Sequence, residues 1–258
     1  MKTISFFNGK GGVGKTLHSV MFASWLAYHE GARVVVFDLE TPEPRIVKLR
    51  ESELALLEDS GSWLSRFVSK LPEDARDRKL YDIYAPGEPM ESYEVSSIQT
   101  VLDELWRFTT LHSREYDYGI FDFPGVFVEW SPAFKCIESG LVDLTVVPVD
   151  VDSTTRREGI ITAKLIKDNG ERVMAFWNNI SLEDIRRPGF LESGEEIFGR
   201  YGVEFHDVRI KTFLKAKRDS DSRLFVKSTV CWPDRYVEMA CPQVADLYAN
   251  LKRRLDSI

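Results

Sequence analysis

At 258 residues the chain has room for one large α/β domain, or for one domain carrying an inserted subdomain. Its 43% hydrophobic content supplies a full core and excludes wholesale disorder. A net charge of −7 excludes a globally basic nucleic-acid binder, so any such binding has to come from a local patch. The three cysteines, Cys136, Cys231 and Cys241, are far apart and form no C-x-x-C pair. That argues against a disulfide framework or a zinc site and fits a reducing cytosol. His18, His29, His112 and His206 are scattered without metal-ligand spacing. The chain enters an apolar strand within four residues, without a leader peptide's basic region and long apolar run. No apolar stretch approaches the roughly 20 residues of a membrane span. A cytoplasmic protein is expected.

The first predicted strand is Ile4–Phe7. It runs into Asn8-Gly9-Lys10-Gly11-Gly12-Val13-Gly14-Lys15-Thr16, in which Gly9, Gly14, Lys15 and Thr16 satisfy the G-x-x-x-x-G-K-[ST] spacing of a phosphate-binding loop. Glycines let successive backbone N–H groups turn inward into a concave anion site, and the following helix adds its positive end. Gly11, Gly12, Val13, Gly14, Lys15 and Thr16 are therefore the candidate ATP contacts. Lys15 is placed to reach the β- and γ-phosphates, and Thr16 to sit on Mg²⁺. Leu17, Val20, Met21, Ser24, Ala27 and Tyr28 recur at helical spacing, and Gly31 is placed to end that helix. Ala32–Phe37 reads as a buried parallel strand leading to Asp38 and Glu40.

Residues 41–115 are less legible. Ser62–Leu71 and Ser96–Leu111 look helical, Leu80–Tyr84 is a candidate short strand, and Pro86-Gly87-Glu88-Pro89 is a turn. Tyr116–Phe121 is the next strand and ends in Asp122-Phe123-Pro124-Gly125. Leu141–Val149 is another, followed by a helix through about Ile166, and Arg172–Trp177 is a further strand before Asn178 and Asn179. Val208–Ile210 is a candidate last strand. Residues 209–227 hold seven basic residues (Arg209, Lys211, Lys215, Lys217, Arg218, Arg223 and Lys227) against two acidic ones. They form either a DNA-phosphate patch or a solvated charged face. Val244, Leu247, Tyr248, Leu251 and Leu255 make a helical stripe expected to pack on the core rather than to bind a membrane.

Lys10 exceeds what the general motif requires. The run Lys-Gly-Gly-Val-Gly-Lys-Thr resembles the deviant Walker A loop of the ParA/MinD ATPases, closest to the compact ParA-type partition proteins without an N-terminal DNA-reading extension. The resemblance covers most of the chain through four separated motifs and is weak over 41–115. It implies a single P-loop ATPase domain over 1–258 with a variable, mostly helical insertion at about 41–115. The fold it implies is α/β, a mostly parallel twisted sheet with helices on both faces and nucleotide along the carboxyl ends of the strands. Lys10 matches the signature lysine that reaches the partner subunit's phosphates in an ATP-dependent homodimer. Asp38 matches the first aspartate of the first switch. Glu40 stands where the aspartate assigned to the attacking water is usual, one methylene longer, so slow, partner-stimulated hydrolysis is expected. Lys10, Lys15, Asp38 and Glu40 are thus the catalytic candidates. Thr16, Asp38 and Asp122 are the candidates toward Mg²⁺. Asn178, with Asn179 as the alternative, corresponds to the family's adenine contact.

The implied function is partition of a plasmid, chromosome or mobile element. DNA would be bound non-specifically through Arg209, Lys211, Lys215, Lys217 and Arg218, and a ParB-like protein would stimulate hydrolysis. Two alternatives stand beside it. One is an ATP-dependent positioning switch or scaffold with slow hydrolysis and no DNA binding, in a MinD-like or conjugal-transfer role. The other is a metabolic enzyme on the same loop, such as a ligase or an iron–sulfur ATPase. The lack of a cysteine pair and the presence of Lys10 weigh against the latter.

Overall fold

In the computed structural model, residues 1–40, 44–71, 73, 79–86, 95–125, 131–187, 189–211, 228–232 and 242–258 are described. The apolar runs become the strands β1 (Lys2–Phe6), β2 (Val34–Asp38), β3 (Asp82–Tyr84), β4 (Tyr118–Asp122), β5 (Leu144–Val149), β6 (Val173–Ile180) and β7 (Glu204–Lys211). They form one sheet in the order β3-β2-β4-β1-β5-β6-β7, and every pair is parallel. The expected "mostly parallel" sheet is thus wholly parallel among the described residues. β1 lies at its centre, so the phosphate loop emerges where the chain order reverses, the usual ligand crevice of an open α/β sheet.

Because side chains alternate along a strand, the sheet needs cover on both faces. Ile4, Phe6, Val34, Val36, Ile120, Val146, Met174 and Phe176 share one core. It is covered by α1 (Lys15–Ser24), which continues as a π-helical turn over Trp25–His29, and by the carboxyl-terminal helix α9 (Gln243–Asp256). Phe7, Val35, Phe37, Phe121, Val147, Val149, Ala175 and Trp177 share the other. Its cover comes from α4 (Val95–Leu111), α5 (Pro132–Glu138), α6 (Ser153–Asp168) and, after the single turn α7 (Leu182–Ile185), α8 (Phe190–Arg200). All five apolar residues of the α9 stripe are buried, so that face meets the core as expected. Among the described residues no helix is long and apolar enough to cross a membrane.

The stretch 41–115 supplies α2 (Arg45–Glu58), α3 (Trp63–Val68), the edge strand β3 and α4. Residues 41–43 and 87–94 lie outside the described residues, and with them most of the expected Pro86–Pro89 turn. α2 has no counterpart in the sequence reading. Its fully buried residues are Ile46 and Glu53, with Leu49, Leu56 and Leu57 partly buried on the same side, so a glutamate interrupts its apolar row. Glu53 accepts from the Thr229 amide at 2.8 Å and from its hydroxyl at 2.5 Å. Arg50 donates to Thr229 Oγ1 (2.9 Å) and Thr229 O (2.8 Å) and lies over the Tyr81 ring. A buried polar cluster thus ties α2 to residues 228–232, and Leu64 of α3 packs against Val230 and Cys231 beside it.

The strand boundaries move by a few residues. β1 runs Lys2–Phe6 rather than Ile4–Phe7, and β2 starts at Val34 instead of Ala32 and takes in Asp38. β3 and β4 start two residues late, at Asp82 and Tyr118, and β4 takes in Asp122. β5 starts at Leu144 instead of Leu141, and β6 starts at Val173 and runs on through Asn178 and Asn179. The two asparagines therefore lie within a strand, not after it. β6 persists because β7, itself longer than Val208–Ile210, pairs with it as far as Ile180 and Lys211, across two register shifts.

Candidate functional site

β1 delivers Asn8–Thr16 between β4 and β5. Asn8 is fully buried and fixes the turn from both sides: Nδ2 donates to Pro148 O and Oδ1 accepts from the Lys10 amide, both at 2.9 Å. The Gly9 amide donates to Thr162 Oγ1 on α6 at 3.2 Å. Gly12 (φ 81°) and Gly14 (φ 93°) are left-handed. A Cβ on Gly14 would lie 2.6 Å from Asn178 Nδ2, so neither the backbone nor the space there admits a side chain.

Gly14 is also the cap of α1 and gives its amides no side-chain acceptor, and the first turn of α1 holds no acid. By contrast, Ser62, Ser131 and Asp152 each accept a bond from the helix they cap. The opening amides of α1 and the helix dipole thus face the crevice, the arrangement that takes a phosphate. Lys15 stands beside them at 7% exposure, with Nζ donating to Lys10 O at 2.9 Å. Burial pushes its ammonium below the usual lysine range. Asp122 and Glu40 pull it back up, and Arg45 adds to the lowering. Lys10, by contrast, is exposed.

The acidic wall comes from neighbouring strands, since β2 and β4 put Asp38 and Asp122 opposite each other in register. Asp122 Oδ1 accepts from Ser19 Oγ on α1 at 2.8 Å, while its Oδ2 is buried without a partner. Asp38 Oδ2 accepts from the amides of Ile46 (2.7 Å) and Val47 (3.0 Å), the first turn of α2, and its Oδ1 is likewise orphaned. Burial pushes Asp122 up to about 7, against the pull of the Ser19 and Thr16 hydroxyls and with repulsion from Asp38 and Glu40 added. Burial raises Asp38 too, offset by backbone amides that include those of Val47 and Ile46.

Two buried carboxylate oxygens without partners form a site short of positive charge. With the Thr16 hydroxyl they make a hard, all-oxygen donor set that suits Mg²⁺. Among the described residues no three His, Cys, Asp or Glu gather as an all-protein metal site. Mg²⁺ needs none, since it typically takes one or two side chains plus substrate phosphates and waters.

Glu40, at 14% side-chain exposure, lies 3.2 Å from the Arg45 guanidinium. The Asp122–Gly125 segment closes over the loop. Phe123 packs edge-on against Phe7, and a Cβ on Gly125 would come 3.1 Å from Lys15 Nζ and 3.6 Å from Gly11 Cα.

Asn178 is 4% exposed and donates from Nδ2 to Val13 O at 2.7 Å, so in this structure its amide braces the phosphate loop. Asn179, left-handed at φ 63°, bonds through its amide to Asp150 Oδ2 and keeps the more open position of the two. Behind Asn178, His18 stacks on Phe6 and bonds Tyr248 of α9 at 3.0 Å. Burial lowers its pKa to about 4, so it is neutral. Arg209 is engaged by Glu192 (3.1 Å) and Glu195 (3.5 Å), and Lys211 is exposed at the end of β7. Lys215, Lys217 and Arg218 lie outside the described residues.

The sequence reading did not single out Asn8, Ser19, Arg45 or Thr162 in the site. For Ser19 a signal existed, three residues beyond Thr16 and so on the same face of α1. For Asn8 the local signal was an asparagine that can bond the amide two residues on; Arg45 and Thr162 act through contacts that the fold makes.

Comparison with known proteins bears on the fold. A family model described as an AAA domain matches residues 1–46. No curated protein matches the sequence significantly. Among solved structures, the MinD cell division protein of Aquifex aeolicus is 19% identical at a TM-score of 0.60, covering 98% of this chain and 97% of its own. A ParA family ATPase from Chlorobium tepidum is 16% identical at 0.58, covering 97% and 98%. The pNOB8 ParA bound to nonspecific DNA is 17% identical at 0.60, covering 99% of both chains. The chain therefore has, over its whole described length, the fold of the MinD and ParA P-loop ATPases.

Proposed function

We propose that this protein is a ParA-type ATPase, one P-loop domain with a variable region at about 41–115, that dimerises with ATP and binds DNA non-specifically in that state. The observation that carries the reading is the phosphate cradle. The open amino end of α1 and the buried Lys15 face an in-register pair of carboxylates, each with an unsatisfied oxygen. Gly11–Thr16 would hold the phosphates, and Thr16 with Asp38 and Asp122 would hold Mg²⁺, which when bound neutralises phosphate charge. Lys15 would stabilise charge on the transferred phosphoryl group, and Glu40 would orient the attacking water. Lys10, exposed at the rim, would complete a partner's site. That a similar fold was solved as pNOB8 ParA on nonspecific DNA supports the DNA-binding part. A ParB-like protein would stimulate turnover and release the dimer.

A second reading, an ATP-dependent positioning switch without DNA binding, is favoured by Arg209. This basic candidate is already neutralised by Glu192 and Glu195. It also finds support in the likeness to the MinC:MinD cell division complex of Aquifex aeolicus, 18% identical at a TM-score of 0.61. Light scattering and co-sedimentation with nonspecific DNA, under ATP, ADP or no nucleotide, decide between the two. The partition reading expects dimers with ATP that bind DNA and lose affinity steeply as salt rises. Dimers that ignore DNA favour the switch. Lys15→Ala should abolish ATP binding, and ATP binding that survived it would overturn both.

A further inference from the structure

The first turn of α2 is organised around the two carboxylates of the β2 exit. Its Ile46 and Val47 amides hold Asp38 Oδ2, and its first residue, Arg45, pairs with Glu40. The pair is asymmetric. Glu40 is largely covered at 14%, whereas Arg45 is open at 67%, so the guanidinium lies over the carboxylate on its solvent side. Both charges are felt by the Lys15 ammonium, so the pair lies at the phosphate end of the crevice. The Arg45 contact runs to Oε1. A glutamate side chain has three rotatable bonds, and an ion pair to one of its oxygens narrows the directions in which the carboxylate can point.

Resting on the ATPase reading, we propose that Arg45 is a positioning residue for Glu40: their ion pair aims the longer carboxylate at the water that attacks the γ-phosphate. Arg45 itself contacts no reacting atom. Its anchorage explains how a glutamate can serve there, since about 1 Å of misplacement is enough to cost two orders of magnitude in rate.

Steady-state ATP hydrolysis by the full chain, with Mg²⁺, tests this in wild type, Arg45→Ala and Arg45→Lys, alongside fluorescent-ATP binding. Arg45→Ala should lower kcat by at least tenfold, with KM and nucleotide affinity within about twofold of wild type. Arg45→Lys can still pair with Glu40 and should recover at least a third of the lost rate. Three results would overturn the proposal. An unchanged or raised kcat in Arg45→Ala would mean that Glu40 needs no anchor. A KM and affinity that worsen with kcat would mean that Arg45 binds phosphate itself. A lysine variant as slow as the alanine one would mean that the ion pair is not what acts. Hydrolysis by wild type with no response in Arg45→Ala rejects this inference alone. A wild type that binds ATP and never hydrolyses it, with or without DNA, rejects the ATPase reading and the inference with it.

Discussion

At the scale of single residues, burial of Asp122 links the site to pH. In the fold it titrates near 7, against roughly 4 in an open chain. A carboxylate raised in this way binds more protons folded than unfolded between those values, so its contribution destabilises the protein as pH climbs from about 4 to about 7. Above that it is constant, on the order of 4 kcal/mol at most. Without nucleotide and metal, Asp122→Asn should keep the Ser19 bond and raise Tm at pH 8, with the gain shrinking toward pH 5. A gain of equal size at both pH values would contradict a buried carboxylate that holds its proton.

Most of the phosphate loop could be read from sequence, because its chemistry is local: spacing, glycines and one lysine. Asn178 could be located but its orientation could not. The bond to Val13 depends on β6 ending across β5 from the loop that leaves β1, and no property of residues 172–180 encodes it.

At the scale of elements, legibility followed apolar periodicity. The strands and α9 were readable because each buries a regular row of apolar side chains. α2 was not, because a buried glutamate held by Thr229 breaks the row that Ile46, Leu49, Leu56 and Leu57 would make. α5 went unread although Ser131 caps it and Pro132 opens it, a start signal present in the sequence. The docking of α9 can be measured directly. Leu251 is fully buried between α9 and the sheet, so Leu251→Ala should cost about 2–5 kcal/mol in urea unfolding. Leu111→Ala, at a residue 64% exposed on α4, should stay within about 0.5 kcal/mol. Similar losses in the two variants would mean that α9 is not an integral layer of the core.

At the scale of the whole molecule, the fold leaves one charged group of the loop facing outward. The Lys10 backbone is used twice within the loop, by Asn8 and by Lys15, while its side chain is exposed. Lys10→Ala should therefore bind ATP with affinity within about threefold of wild type, yet stay monomeric with ATP in light scattering. ATP-dependent dimers of this variant would remove the ground for a shared site. The position of the crevice follows from the loop's place after β1, whereas the strand order is set by the crossovers and was not legible from spacing. The partner surface could not be read, since the basic stretch mixes a neutralised arginine with positions outside the described residues.

The loop comes from the first sixteen residues, but its props come late: Pro148, Thr162, Asn178 and, through His18, Tyr248. Some 165 residues separate Val13 from the asparagine beneath it. During synthesis at ordinary rates, the amino end would wait roughly ten to thirty seconds before that brace exists. A nascent chain would thus carry the whole motif before any of these braces exists. The finished loop would mark a chain whose distant half has already been translated and folded.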